Sequence, residues 1–249
     1  MSDPLQPLVD LPGVRDAADR ARDALGEVHR HKTNRRGWPT TAAEAAVRAA
    51  RASASLDGGR TELPAPGEVA DPILSGALRV GQALDGDALG LLQSTWQRAP
   101  LQALARLHLL AAADLVEDPE LLGRPRPAAG VAERLDGLAQ LVTGETTAPA
   151  PVLAAVVHGE LLALKPFGVG DGVVARAASR LVCVSSGLDP HNLGVPEVSW
   201  FRRQQAYRNG IGAFASGAAE GVGSWVILCC GALEAGAREA MSIAEAAAT

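Results

Sequence analysis

The sequence predicts an all-α fold, and three observations carry that prediction. Hydrophobic residues make up 47% of the 249-residue chain but aromatic residues only 3%, so the core must be built from Leu, Val, Ile and Ala. That composition favours helix over sheet. Apolar residues recur at helical spacing through segment after segment, and no run of alternating apolar and polar residues is long enough to read as a strand. We read a helical extension over residues 1–68, followed by one compact helical domain over residues 69–249.

The elements follow in order. Val14, Ala17, Ala18, Ala21, Leu25 and Val28 share one face of a helix from Val14 to His31. The basic cluster at its end (Arg30, His31, Lys32, Arg35, Arg36) suits the helix dipole and reads as a solvated terminus. Thr41 and Glu44 have the spacing of a capping box, which opens a second helix running to Leu56. Asp57-Gly58-Gly59 stops it, and the Pro-rich stretch from Thr61 to Gly67 is expected to be irregular. Helices are expected over Ile73–Leu84, Ala88–Arg98, Leu101–Val116 and Val131–Val142. Between the last two, Gly123–Ala128 is a loop, and a short hairpin over Gly123–Gly130 is left open. Ala148–Leu164 begins with prolines, which the first turn tolerates. Ala175–Ser185, Val198–Arg208 and Gly221–Ala247 complete the set, the last with a break at a glycine left open.

Composition narrows the function. The formal net charge is -5 and the isoelectric point is near 5.6, unlike the basic surface of a nucleic-acid binder. Cys183, Cys229 and Cys230 lie in apolar helical contexts and read as buried thiols of a reducing cytosol. No Cys/His spacing resembles a zinc site. The start of the chain lacks the pattern of a signal peptide, so a cytoplasmic location is expected. The apolar run from Ser224 is interrupted by Glu234, short of the ~18–20 residues that span a bilayer, and reads as a buried helix.

One stretch interrupts the helical pattern: LKPFGVGDGVVAR, Leu164 to Arg176. Gly168, Gly170 and Gly172 alternate in it just before a helix. Free N–H groups at a helix start, approached through glycines, make a ready anion site. Gly168, Gly170, Asp171, Gly172 and Arg176 are therefore candidates for holding a nucleotide or another anion. No strand precedes the loop and no Gly-Lys-Ser/Thr follows, so it is neither a dinucleotide fingerprint nor a Walker loop. An ordinary helix-loop-helix turn is the other reading.

The stretch resembles the signature of Fic-domain proteins, His-Pro-Phe-x-Asp/Glu-Gly-Asn-Gly-Arg-x-x-Arg. Pro166, Phe167, Gly170, Gly172 and Arg176 match it. The flanks VLAAVVHGELLAL and RAASRLVCVSSGLDP resemble the helices around that signature. Ser53-Ala-Ser-Leu-Asp57-Gly58 resembles the inhibitory-helix motif of the same family, Ser/Thr-x-x-x-Glu-Gly/Asn, with Asp for Glu. The resemblance runs from about Leu11 to Ile243.

It implies transfer of AMP from ATP to a hydroxyl of a target protein, and four departures weaken that implication. The signature histidine, the family's general base, is Lys165 here. A free lysine has a pKa near ~10.4 and, protonated, cannot accept a proton. The acidic position that holds the metal is Val169, which has no ligand oxygen, so Mg²⁺ is weakened or absent. The signature asparagine is Asp171, whose charge would repel a phosphate ~4 Å away by about 4 kcal/mol at an effective dielectric near 20. The first arginine is Val173.

Arg176 is kept, and the resemblance implies that it contacts the γ-phosphate or is held by the inhibitory acid. Ser53, Asp57 and Gly58 are thus expected to form a clasp on Arg176, looser or water-bridged because Asp is a methylene shorter than Glu. His158 and His108 read as packing residues, and His191 as part of a turn. Trp200 and Tyr207 read as packing aromatics beside a second basic cluster of Arg202, Arg203 and Arg208, which lies at the base-binding end of the cleft or on a docking face. The expectation is a non-catalytic nucleotide- or protein-binding regulator with a degenerate AMP-transferase site. ATP is its candidate ligand, with a protein partner not identified and self-association left open. The alternative is a divergent protein nucleotidyltransferase using Lys165 and Asp171.

Overall fold

The computed structural model describes residues 3–65, 68 and 70–248, and among them there is no β-strand. A single turn, α1 (Gln6–Val9), leads into α2 (Val14–Arg30) and the long α3 (Asn34–Leu56). Three shorter helices follow: α4 (Pro72–Ala83), α5 (Gly86–Arg98) and α6 (Pro100–Ala112). After a 3₁₀ turn at Pro119–Leu121 come α7 (Val131–Gln140), continued by a π-turn over Leu141–Glu145, then α8 (Ala150–Leu164) and α9 (Asp171–Ser185). The chain closes with α10 (Pro196–Arg202), α11 (Gln204–Ala215) and α12 (Ala219–Ala246).

The centre is the α8–α9 pair. α8 is apolar on nearly every side, as a largely buried helix must be, with Glu160 on its one partly exposed stripe. Every residue of α9 from Val173 to Val184 is buried. Three of these are polar, so they need partners inside the protein. Arg180 pairs with buried Glu197 at 2.8 Å and donates to the side chain of Asn192, which fastens α10 to α9. Around the pair, α3 and α4 cover one side, α11 and α12 the other, and α2 lies along α12. One continuous core joins Leu25, Ala54, Val157, Leu181 and Val226. Gly159 admits the rings of Trp225 and Phe214 against α8, and the Trp225 indole N–H donates to the Ala155 carbonyl at 2.8 Å.

Several boundaries differ from expectation. α3 begins at Asn34, a full two turns before the expected capping box, and carries Pro39 inside it. Thr41 is already helical, and its hydroxyl donates to Asn34 Oδ1 at 2.8 Å, while Glu44 pairs with Arg48. Asn34 in turn donates to the Val28 carbonyl at the end of α2, which anchors the start of α3. The segment expected as one helix over 198–208 is two, parted at Arg203, whose backbone leaves the helical region (φ -124°, ψ 44°). α12 runs through its glycines unbroken. Residues 123–130 form a loop and no hairpin. The irregular stretch after Thr61 carries no helix over 61–65; Pro66 and Gly67, with Val69 beside the expected domain boundary, lie outside the described residues. Among the described residues no helix is long and apolar enough to cross a membrane.

Candidate functional site

The glycine loop joins the end of α8 to the start of α9. Lys165 caps α8 in the left-handed conformation (φ 48°, ψ 61°), which costs an L-residue about 1–2 kcal/mol. Its side chain is exposed and makes no hydrogen bond or ion pair among the described residues. Gly168 and Gly170 are left-handed as well, and Gly170 is the N-cap of α9. The chain turns back on itself through these positions, so α9 starts at Asp171, four residues before the expected start at Ala175.

Asp171 is buried, with its carboxylate folded back into the loop. Oδ1 accepts from the Phe167 N–H at 2.9 Å, with the Gly168 N–H also directed at the carboxylate. Oδ2 is buried with no hydrogen-bond partner. Burial pushes the carboxyl pKa up, opposed by the two N–H groups and by the charges of Arg126 and Lys165. The Phe167 and Gly168 N–H groups, on the loop before α9, are thus held by the protein's own carboxylate.

Two residues outside the glycine stretch lock the loop. Arg126 donates from Nε to the Lys165 carbonyl and from Nη2 to the Leu164 carbonyl, each at 2.8 Å, and its backbone N–H reaches the Pro166 carbonyl at 2.8 Å. The Leu164 and Lys165 carbonyls belong to the end of α8, where carbonyls lack helical partners, and that of Pro166 to the loop beyond it. His108, on α6, accepts the Gly123 N–H at Nδ1 (2.8 Å) and stacks flat on Phe167, with ring centroids 4.1 Å apart. Burial drives its pKa down, opposed by the backbone of Val169.

On the other side of α9, Arg176 is 1% exposed. Its Nε donates to Ser53 Oγ at 2.8 Å, and Nη2 donates to the Ser53 carbonyl at 2.9 Å and to Asp57 Oδ2 at 2.8 Å. The clasp is therefore direct, where a looser or water-bridged one was expected. Gly172 is the reason: a Cβ there would overlap the Asp57 carboxylate, so only glycine lets the end of α3 come this close. The carboxylate lies over the first turn of α9, where the helix dipole favours negative charge. Gly58 is left-handed (φ 89°) with open space around it, and serves the turn that ends α3.

Behind Arg176 runs a buried polar chain. Its Nη1 donates to the Tyr207 hydroxyl at 3.4 Å, that hydroxyl lies 2.8 Å from His158 Nε2, and His158 Nδ1 is 4.0 Å from Cys229 Sγ. The Tyr207 oxygen accepts a hydrogen bond from Arg176, so its own O–H is free to donate to His158. Burial, reinforced by the positive charge of Arg176, holds the His158 pKa well below its ordinary value, so the ring is a neutral acceptor. Burial works against the Arg176 charge too, but Asp57 and Tyr207 outweigh it and hold its pKa above the usual arginine value.

Of the residues singled out in sequence, the structure thus brings Ser53, Asp57, Gly172 and Arg176 together, and sets Lys165 and Asp171 at the opposite, loop side. His191 stacks on Trp38, with His29 as its second ring contact. Val169 is 41% exposed and offers no oxygen, and among the described residues no three His, Cys, Asp or Glu side chains converge. With Asp171 committed to the loop backbone, the residues present do not fit a protein-held divalent cation. Arg126 was missed in sequence, because nothing local in a Gly-Arg-Pro-Arg-Pro loop announces a reach to residues 164–166.

No protein-family model matches the sequence, and no curated protein matches it. Solved structures do. A Fic family protein from Desulfovibrio desulfuricans G20 superposes with a TM-score of 0.71 at 18% identity, over 93% of this chain and 75% of that one. Fic-1 from C. elegans gives a TM-score of 0.71 at 17% identity, over 94% of this chain and 73% of that one. A variant of the same Fic-1 fragment gives 0.72 at 17% identity, over 92% and 72%. At these identities the likeness speaks for architecture, and the architecture is settled: this chain is an all-α domain with the helical fold of Fic proteins.

Proposed function

We propose that this chain is a Fic-like regulator that binds a nucleotide without transferring it, and whose phosphate end is closed by its own carboxylates. The observation that carries the reading is the Asp57 carboxylate seated on the first turn of α9 and paired with Arg176. A carboxylate there imitates a phosphate: it meets the same helix dipole and the same guanidinium. A nucleotide phosphate would have to displace it, and Asp171 would have to release or share the loop donors. The transferase alternative finds little support in the geometry. Lys165 is solvent-exposed with no side chain placed to take up a proton from it, and the metal-holding position is an exposed valine.

Calorimetric titration of ATP, with and without Mg²⁺, into the parent chain and Asp57→Gly tests this. We expect Asp57→Gly to bind at least about tenfold more tightly than the parent, since one charged hydrogen-bonded competitor is worth 1.5–3 kcal/mol. Added Mg²⁺ should change the affinity little. Absence of binding by either protein up to millimolar ATP would overturn the nucleotide reading and leave a protein-binding scaffold.

A further inference from the structure

A second cationic feature lies away from the glycine loop. α10 and α12 border a groove of about 500 Å³ lined by Ser199, Arg202, Arg203, Arg238 and Glu239. Consecutive residues of a helix point about 100° apart. The chain leaves helical geometry at Arg203, and both Arg202 and Arg203 line the same groove. In a chain of net charge -5 this is a local excess of cations, not a generally basic surface.

The internal carboxylates do not use that excess up. Glu239 is held by Arg48 of α3 at 2.7 Å, and its contact with Arg202 is long, 3.7 Å. Glu234 holds Arg238 at 2.6 Å and also faces Arg20 at 3.6 Å. Arg203 has no carboxylate partner among the described residues; its guanidinium donates to the Ser199 hydroxyl at 3.0 Å. Arg202 and Arg238 are mostly exposed, so Arg202 can swing into the groove and Arg238 can exchange its solvent-exposed contact with Glu234 for a ligand.

We propose that this groove is an anion site that takes the phosphoryl group of a small, soluble phosphate-bearing molecule. Three guanidiniums around one groove match the three terminal oxygens of a phosphoryl group. Guanidinium is more weakly hydrated than ammonium and binds phosphate through paired N–H donors. The Ser199 hydroxyl adds a further polar contact, and the groove volume lies in the range of small-ligand sites.

The test is titration of sodium pyrophosphate into the full chain at constant ionic strength, beside Arg203→Ala, Arg238→Ala and Arg203→Lys. We expect saturable binding by the parent, weakened at least about tenfold in both alanine variants and reduced in Arg203→Lys, where charge remains but the paired donors do not. The losses caused by Arg203→Ala and Arg238→Ala should recur in an Asp57→Gly background, and any pyrophosphate binding that the opened clasp adds there should survive both substitutions, which separates this groove from the clasp on α9. No saturable binding, or binding by Arg203→Ala within about twofold of the parent, would overturn the proposal. Capture of the protein on anionic-lipid vesicles through the same arginines, without pyrophosphate binding, would overturn the assignment to a soluble ligand.

Discussion

The first turns of α9 are finished differently on their two sides. Towards α3, Arg176 is buried and satisfied on every side, by Ser53, Asp57 and Tyr207, and Gly172 makes room for the carboxylate that holds it. Towards the loop, Lys165 is exposed in a strained conformation and Asp171 carries a buried oxygen with no hydrogen bond. One side has the closure of a structural joint. The other has loose ends, an exposed cation on a strained backbone beside a buried, partly unsatisfied carboxylate. Breaking the first must cost stability, whereas changing the second should cost little or even help.

The largest effect is expected at Arg176. Arg176→Met leaves Asp57 and both Ser53 acceptors without their buried donor and should destabilise the fold by about 3–5 kcal/mol in chemical denaturation. A loss below about 1 kcal/mol, the range of a surface pair, would erase the contrast between the two sides. Next, Gly172→Ala should cost about 1–3 kcal/mol, because its Cβ and the Asp57 carboxylate claim the same space. In an Asp57→Gly background that cost should vanish, and a double-mutant cycle showing simple additivity would deny the close approach.

The loop side should answer to pH. Burial raises the folded-state pKa of Asp171, so the folded protein binds a proton that the unfolded chain has already released. Its stabilising contribution is complete below the unfolded pKa and is lost as pH rises through the folded one. Asp189 behaves oppositely. Burial alone would raise its pKa, but His29 and the N–H groups of Gly194 and Leu193 bring it below the ordinary value. Its contribution is present above the unfolded pKa and fades as pH falls through the folded one. Asp171→Asn should remove the first slope, keep the Phe167 N–H bond and raise stability at pH 7 by up to about 1 kcal/mol. Urea melts at pH 4 and pH 7 would show it, and an unchanged pH slope would place the carboxyl in contact with water. The smallest effect is at Lys165, where Lys165→Gly should stabilise by about 1 kcal/mol by relieving the left-handed backbone.

How much of this was legible varies with the range of the interaction. The apolar stripe of α2 from Val14 to Val28 was read residue by residue, because helical periodicity is local. The start of α3 was not, because Thr41 and Glu44 have the spacing of a capping box; Asn34 holds an earlier start through contacts with Val28 and Thr41. The start of α9 was placed late for a related reason, since a glycine and two valines lower helix propensity where burial decides the matter. At the site, the Asp57–Arg176 pair spans 119 positions and no pattern in either segment alone predicts it; it was expected only through the resemblance. The Arg126 bonds and the Tyr207–His158 chain join segments with no shared motif, so tertiary structure alone reveals them.

The central claim is binding without transfer, and one experiment meets it directly. The parent and Asp57→Gly are incubated with ATP labelled at the α-phosphate, Mg²⁺ and cell lysate, and each sample is split between equilibrium dialysis and denaturing electrophoresis. The account predicts ATP held by Asp57→Gly in dialysis and no label retained on any protein band beyond that in a lysate-only control. Label that survives denaturation and disappears with Lys165→Ala would contradict it, and would make Lys165 a working catalytic residue.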